Sequence, residues 1–147
     1  MRYLLDTNVL LRLVLVDEPE HQSVLRAVEK LRAGGNELCC TTQALRELWH
    51  VGTRSPEANG IGLSPNEILG LIAEVRRQCL LLPESAETFE DWLGLVSVGS
   101  IRGAACHDAN HIAVAKSNQV DYILTFDLAH FGRFGAHGIK PLRPQDV

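Results

Sequence analysis

The segment Tyr3-Leu4-Leu5-Asp6-Thr7-Asn8 starts with three apolar residues and turns abruptly polar, and Tyr122-Ile123-Leu124-Thr125-Phe126-Asp127 repeats that pattern near the other end of the chain. Each reads as a short buried strand followed by a turn that carries an acid. Leu38 to Thr41 and Cys79 to Leu82 are two further apolar strands, the second stopped by Pro83, and Gly138 to Leu142 is a candidate edge strand ended by Pro144. Helical patterns lie between them. Glu20 to Arg32 sets Val24, Leu25, Val28 and Leu31 at helical spacing and ends at Gly34-Gly35. Thr42 is placed to cap a helix in which Ala44, Leu45, Leu48, Trp49 and Gly52 share a face. Ser64-Pro65-Asn66-Glu67 opens a helix to about Gln78, with Glu at the third position after Ser. Ala86 to Val98 and His107 to Asn118 are two more helices, separated by the break at Gly99 to Gly103. Val9 to Val16 fits either helix or strand, and Ser55 to Leu63, with Pro56, Gly60 and Gly62, reads as a flexible insertion. The alternation predicts an α/β domain over residues 1–147, with a mainly parallel sheet of about four to five short strands flanked by helices.

The chain has 147 residues and 14 Lys+Arg against 18 Asp+Glu, a formal charge of −4 that excludes a basic nucleic-acid-coating protein. A domain of this length buries ~68–70% of the surface that its unfolded form exposes, so one core suffices without staples. Apolar runs such as Leu13 to Val16 and Ile112 to Ala115 fall far short of the ~18 residues that span a bilayer. The start reaches Asp6 before a signal-type apolar region forms, so the cytoplasm is the expected location. No Cys-x-x-Cys pair occurs. Cys39 and Cys40 point to opposite faces of one strand, Cys79 and Cys106 are isolated, and all four read as buried thiols.

Functional side chains in open parallel sheets gather outside the carboxyl ends of the strands. Asp6 follows its strand directly, and Asp127 follows Tyr122 to Leu124 after two residues. Glu47 lies about two turns into the helix after Leu38 to Thr41, and Asp108 opens the helix after Cys106. Each alone has a structural explanation. Asp108 favours a helix N-terminal dipole, Asp127 caps a turn ending at Phe131, Asp6 forms an Asx turn, and Glu47 sits on a solvated face. Together, however, they would repel: two carboxylates ~5 Å apart at an effective dielectric of ~20 cost about 3 kcal/mol. A divalent cation offsets that, and all-oxygen ligands select Mg²⁺ or Mn²⁺ over Zn²⁺. With these four set aside, the remaining acids equal the 14 basic residues in number, so a metal-loaded protein need not repel a polyanion.

Asp6-Thr7-Asn8-Val9-Leu10-Leu11, Arg46-Glu47-Leu48, His107-Asp108-Ala109 with Ile112-Ala113, and Thr125-Phe126-Asp127 before His130-Phe131 together resemble the ordered motifs of PIN-domain ribonucleases, especially the toxins of VapBC toxin–antitoxin modules. The likeness runs through nearly the whole chain. It implies a PIN-like fold and a metal-dependent endoribonuclease, in which Asp6, Glu47, Asp108 and Asp127 bind one or two Mg²⁺ or Mn²⁺ ions. Water is then the nucleophile, and the products carry 5′-phosphate and 3′-hydroxyl ends. Thr7, Asn8 and Thr125 are candidates for orienting carboxylates or substrate, with Thr7 or Asn8 alternatively capping the following helix. The resemblance further implies a homodimer, silenced by a VapB-like antitoxin that blocks the acids with an arginine. The apolar helices around Leu45 to Trp49 and Leu69 to Ile72 suit such contacts, or core packing equally well.

Two Trp, two Tyr and four Phe argue against a base-stacking platform and for phosphate contacts to the RNA. Arg12, Arg46 and Arg102 are the foremost candidates, with Arg54, Arg76, Arg77 and Arg133 beside them, each also readable as part of a solvated face. Two rival readings stand. His107 and His111, four apart on a helix with Asp108 between them, resemble a shortened zinc-peptidase motif. The other rival is a non-catalytic PIN-like module that binds RNA or a protein.

Overall fold

The computed structural model describes residues 1–147, apart from the side chain of Ala136. Five strands form one sheet: β1 (Arg2–Leu5), β2 (Glu37–Cys40), β3 (Leu80–Leu81), β4 (Tyr122–Leu124) and β5 (Lys140–Leu142). Their order is β3-β2-β1-β4-β5, and every pairing is parallel. The helices are α1 (Thr7–Val14), α2 (His21–Ala33), α3 (Thr42–Thr53), α4 (Pro65–Gln78), α5 (Ala86–Val98), α6 (Ala105–Ser117) and α7 (Leu128–Gly132). From β1 the chain builds outward through β2 and β3, then returns to add β4 on the other side. The connections therefore diverge between β1 and β4, where open α/β sheets hold their ligands.

The two-residue period of each strand divides the core between two faces. Tyr3, Leu5, Leu38, Cys40 and Leu124 pack with Val9, Val28, Leu48 and Ile68 of α1 to α4. Leu4, Cys39 and Ile123 pack with Ile112, Val114 and Phe131 of α6 and α7. Cys39 and Cys40 thus point to opposite faces, and burial pushes both thiols up to about 11. α6 is buried at Ala109 and from His111 through Ala115, which explains a segment with no polar face.

Four local expectations change. Val9 to Val16 resolves as helix only through Val14, because Asp6 caps the segment from outside and Leu15 ends it in extended conformation. Thr41 rather than Thr42 caps α3, its hydroxyl accepting from the Ala44 amide at 3.0 Å, while the Thr42 hydroxyl turns to Glu84. β3 holds only two residues, and β5 begins at Lys140 with Pro141 inside it, an arrangement an edge strand tolerates. The 55–63 segment is no loose insertion. Ile61, Gly62 and Leu63 donate main-chain hydrogen bonds to Val51, Arg54 and Gly52, which lash the loop to the end of α3.

Two glycines set up a contrast. A Cβ on Gly60 would lie 1.9 Å from the Arg54 carbonyl oxygen, whereas one on Gly70 in α4 meets nothing within 4 Å. Gly60→Ala should lower the thermal midpoint by about 4 °C or more, while Gly70→Ala should raise it by about 2 °C through helix propensity. Calorimetry on the two variants checks both signs.

Candidate active site

Asp6 stands at the carboxyl end of β1, where its amide donates to the Leu124 carbonyl at 3.0 Å and so continues the β1–β4 ladder. Its side chain is 8% exposed yet fully engaged. Oδ1 accepts from the Thr7 amide at 2.7 Å, capping α1, and Oδ2 accepts from Asn8 Nδ2 and Thr125 Oγ1, each at 2.7 Å. Asp6 itself is therefore the helix cap, and Thr7 and Asn8 lie inside the first turn. Burial pushes the Asp6 carboxyl above the usual carboxylate range, against the pull of His111 and of the Thr125 and Thr7 hydrogen bonds, and Glu47 adds to the rise.

The same contacts run outward. The Thr7 hydroxyl donates to Glu47 Oε2, and Gln43, one turn earlier on α3, donates to Glu47 Oε1 at 2.6 Å. His111 is 1% exposed, with Nδ1 3.1 Å from the Thr41 hydroxyl and Nε2 3.9 Å from Glu47. The Glu47 carboxylate can only accept, so the tautomer that suits both contacts carries its hydrogen on Nε2 and takes the Thr41 hydroxyl hydrogen at Nδ1. Burial alone would raise the Glu47 carboxyl, but His111, Thr7 and Gln43 outweigh it and hold the group at about 2.

Asp108 sits in the first turn of α6, and Asp127 precedes α7 without its side chain capping that helix. His130 serves both, with Nδ1 3.0 Å from Asp127 and 3.6 Å from Asp108. Burial raises the Asp108 carboxyl, His130 opposes it, and the Asp6 charge reinforces it. Thr125 is buried and connects the halves: its oxygen donates to Asp6 and accepts from the Asp127 amide at 3.0 Å. Asn8 is the other connector, its Oδ1 accepting from the Phe126 amide at 3.3 Å.

Thr7, Asn8 and Thr125 thus hold carboxylates in place. Gln43, Thr41, His111 and His130 join them as partners that the sequence reading did not place there. Gln43 is four residues before Glu47, His111 three after Asp108 and His130 three after Asp127, so helical spacing was the available signal.

Among the described residues, no Lys or Arg forms an ion pair with any of the four acids. Nor do three or more His, Cys, Asp or Glu side chains among them form a ready metal cage. Zinc and magnesium ask for different donor sets. A zinc site needs at least three converging protein ligands, and His107 is exposed on α6 whereas the His111 imidazole is engaged with Thr41 and Glu47. Mg²⁺ keeps several waters and takes as few as one or two carboxylates, so an uncompensated set of hard oxygens fits it.

The basic candidates divide. Arg12 is engaged within the fold, through Glu20 at 2.6 Å, the Asn8 carbonyl at 2.9 Å and the Phe126 ring at 4.8 Å. Arg46 is exposed on α3. It lines a groove of about 620 Å³ that runs along Glu47, His50 and His107, and also a smaller apolar one formed by Leu45, Trp49 and Ile72. Arg102 is exposed in the turn before α6.

A parallel sheet with acids at its divergence point defines a class of α/β proteins that work at the carboxyl ends of their strands. The PIN-domain family model matches residues 3–136, and the chain belongs to that family. Among curated proteins no sequence matches it significantly. Its fold is similar to that of VapBC2 from Rickettsia felis, solved with a DNA fragment from the promoter, at a TM-score of 0.72 and 17% identity over 97% of this chain and 98% of that one. VapBC-1 from nontypeable Haemophilus influenzae gives 0.69 and 15% over 98% of each chain. VapC20 from Mycobacterium tuberculosis, a sarcin-ricin-loop-cleaving toxin, gives 0.65 and 16% over 91% of this chain and 94% of that one.

The opposed carboxyls give the metal-free protein a two-sided pH profile. Asp6 binds its proton more tightly folded than unfolded, so stability falls as pH rises from its ordinary 3.8 through the raised folded value. Glu47 does the reverse: the stability it contributes above its ordinary 4.5 is lost as pH falls toward about 2. In thermal melts with chelator, Asp6→Asn, which keeps a good helix cap, should flatten the higher-pH loss and leave the neutral midpoint unchanged or raised. Glu47→Gln should flatten the acid loss. A large drop at neutral pH for Asp6→Asn would assign that carboxylate to stability.

Proposed function

We propose that this protein is a Mg²⁺- or Mn²⁺-dependent endoribonuclease acting as the toxin of a toxin–antitoxin module. One observation carries the reading: the buried Asp6 carboxylate, with Glu47 and Asp108 close enough for their charges to be felt, has no lysine or arginine paired with it among the described residues. A structural acid in that position would have a basic partner.

One or two of the carboxylates of Asp6, Glu47, Asp108 and Asp127 would bind each ion directly and the others through its waters, and the ion would supply activation of water and neutralisation of charge on the phosphate. The chain's own groups fix the oxygens. Thr7, Asn8 and Thr125 bind both Asp6 oxygens, so that carboxylate cannot rotate away. Gln43 and Thr7 grip one Glu47 oxygen each, and His111 keeps the group ionised. His130, 55% exposed, sets Nδ1 3.0 Å from Asp127 and 3.6 Å from Asp108 and so bridges the two on the open side of the cluster. Arg46 stands beside Glu47 on the open groove, where a phosphate would pass. The reaction leaves 5′-phosphate and 3′-hydroxyl ends.

A VapB-like antitoxin fits the neighbouring surface. Leu45, Trp49 and Ile72 form an apolar notch for a partner helix, and the adjoining groove leads past Arg46 to Glu47, within reach of an inserted arginine. The named neighbours VapBC2 and VapBC-1 support such a partner. The chain is proposed to act as a homodimer, which sedimentation at twice the chain mass would establish.

Digestion of total cellular RNA with Mg²⁺ or Mn²⁺ should give discrete cuts, abolished by chelator. Asp6→Asn and Asp108→Asn should each lower the rate by about a hundredfold or more, and Thr125→Val, which loses the hydroxyl that orients Asp6 and holds the Asp127 amide, by roughly 10–100-fold. RNA binding without turnover under these conditions would establish the non-catalytic module, and Zn²⁺-dependent peptide hydrolysis the zinc reading.

A further inference from the structure

A second cavity, of about 680 Å³, opens between the C-terminal half of α5, the 99–103 turn and the segment after α7. Leu95, Ile101 and Phe134 make its floor, continuous with the core on the α6 side of the sheet. Its rim is charged. Lys116 and Asp91 neutralise each other at 2.9 Å, but Arg102 and Arg133 are exposed and have no carboxylate partner among the described residues. Glu90 is the one acid set against them.

This cavity and the acids are built on the same elements. The turn that carries Arg102 runs into α6, whose first turn holds Asp108. Arg133 directly follows α7, whose His130 reaches Asp108 and Asp127. The Arg133 charge is felt at the Asp108 carboxyl. The two cavity arginines thus sit on the segments that position Asp108 and His130.

Shape and charge select the occupant. An apolar peptide would cover two guanidinium groups and offer them nothing, which is costly. A nucleotide offers both halves of what is needed, a flat base for an apolar floor and phosphates for arginines. The volume lies within the range of ~300–1,000 Å³ that buries small ligands. Proteins that read single-stranded RNA do so by taking splayed bases into such sites. Building on the ribonuclease reading, we infer that this cavity receives one unstacked nucleotide of a single-stranded RNA beside the scissile phosphate, its base on Leu95, Ile101 and Phe134 and its phosphates on Arg102 and Arg133. It is the feature that selects the sequence to be cut. The low aromatic content of the chain is consistent with one pocket rather than a stacking platform.

Gly94 lines the cavity from α5, and a Cβ there meets nothing within 4 Å, so Gly94→Leu fills the space while improving the helix. The isotope-labelled full chain, free of divalent ions, is titrated with each of the four nucleoside 5′-monophosphates and with inorganic phosphate. At least one mononucleotide should shift the amide resonances of Leu95, Ile101 and Phe134; phosphate should not, and Gly94→Leu should abolish the response. Arg102→Ala with Arg133→Ala should weaken binding of a single-stranded oligoribonucleotide by about tenfold and reduce its salt slope by ~1.4. In cleavage maps Gly94→Leu should relax the base preference at one position flanking the cut. No shift with any mononucleotide, an equal shift with inorganic phosphate, or a wild-type response in Gly94→Leu overturns the assignment, as does a Gly94→Leu variant that changes only the sedimentation of the chain. RNA cleavage by the wild type without any shift removes the subsite and leaves the nuclease reading standing. Shifts without cleavage do the opposite.

Discussion

Everything at the rim of this sheet depends on one carboxylate that the fold buries and then surrounds with donors. Asp6 ends β1, caps α1 and receives the Thr125 hydroxyl from the β4 side, so the same two oxygens close a helix and clamp two neighbouring strands where the connections diverge. Neutral donors accomplish this alone. They keep the carboxylate fixed and hydrogen-bonded but leave it without a basic partner among the described residues. The other acids are tied in by relays from this centre. Thr7 passes from the cap to Glu47, and Thr125 passes from Asp6 to the backbone of Asp127.

The acids are not equivalent. Glu47 is ringed by donors and held ionised near 2, while burial and mutual repulsion push Asp6 and Asp108 upward. A cluster divided in this way has one permanent negative anchor and two members that gain from the arrival of positive charge. His130 reaches both Asp108 and Asp127 from an exposed position, so on that side the acids face a surface imidazole rather than a buried basic residue.

Much of this architecture was legible because parallel strands buried on both faces read as unbroken apolar runs. Tyr3 to Leu5 and Tyr122 to Leu124 announce themselves, and the acids after them follow from chain position alone. What escaped was set by distance along the chain or by competition between adjacent residues. Thr41 and Thr42 are chemically identical candidates for one cap, and the backbone decides between them by staying extended through Thr41. The Thr41–His111 contact joins residues 70 apart, and no local pattern encodes it. The loop at 55–63 looked loose because glycine and proline mark turns whether or not the turn is lashed down, and the bonds from Ile61 to Leu63 back to α3 are invisible to composition.

The neighbours at 15–17% identity make the division of labour plain. A fold of this kind asks of most positions only that they be apolar on the correct side, which many sequences satisfy, so identity can fall that far while the sheet and its helices persist. The rim is stricter, because carboxylates and their donors must meet within hydrogen-bond distance. Between these extremes lie the 99–103 turn and the ends of α5 and α7, where Leu95, Ile101 and Phe134 join the core while neighbouring side chains stand exposed. Phe134 there is buried while Arg102 and Arg133 are exposed, a combination that core packing alone does not require.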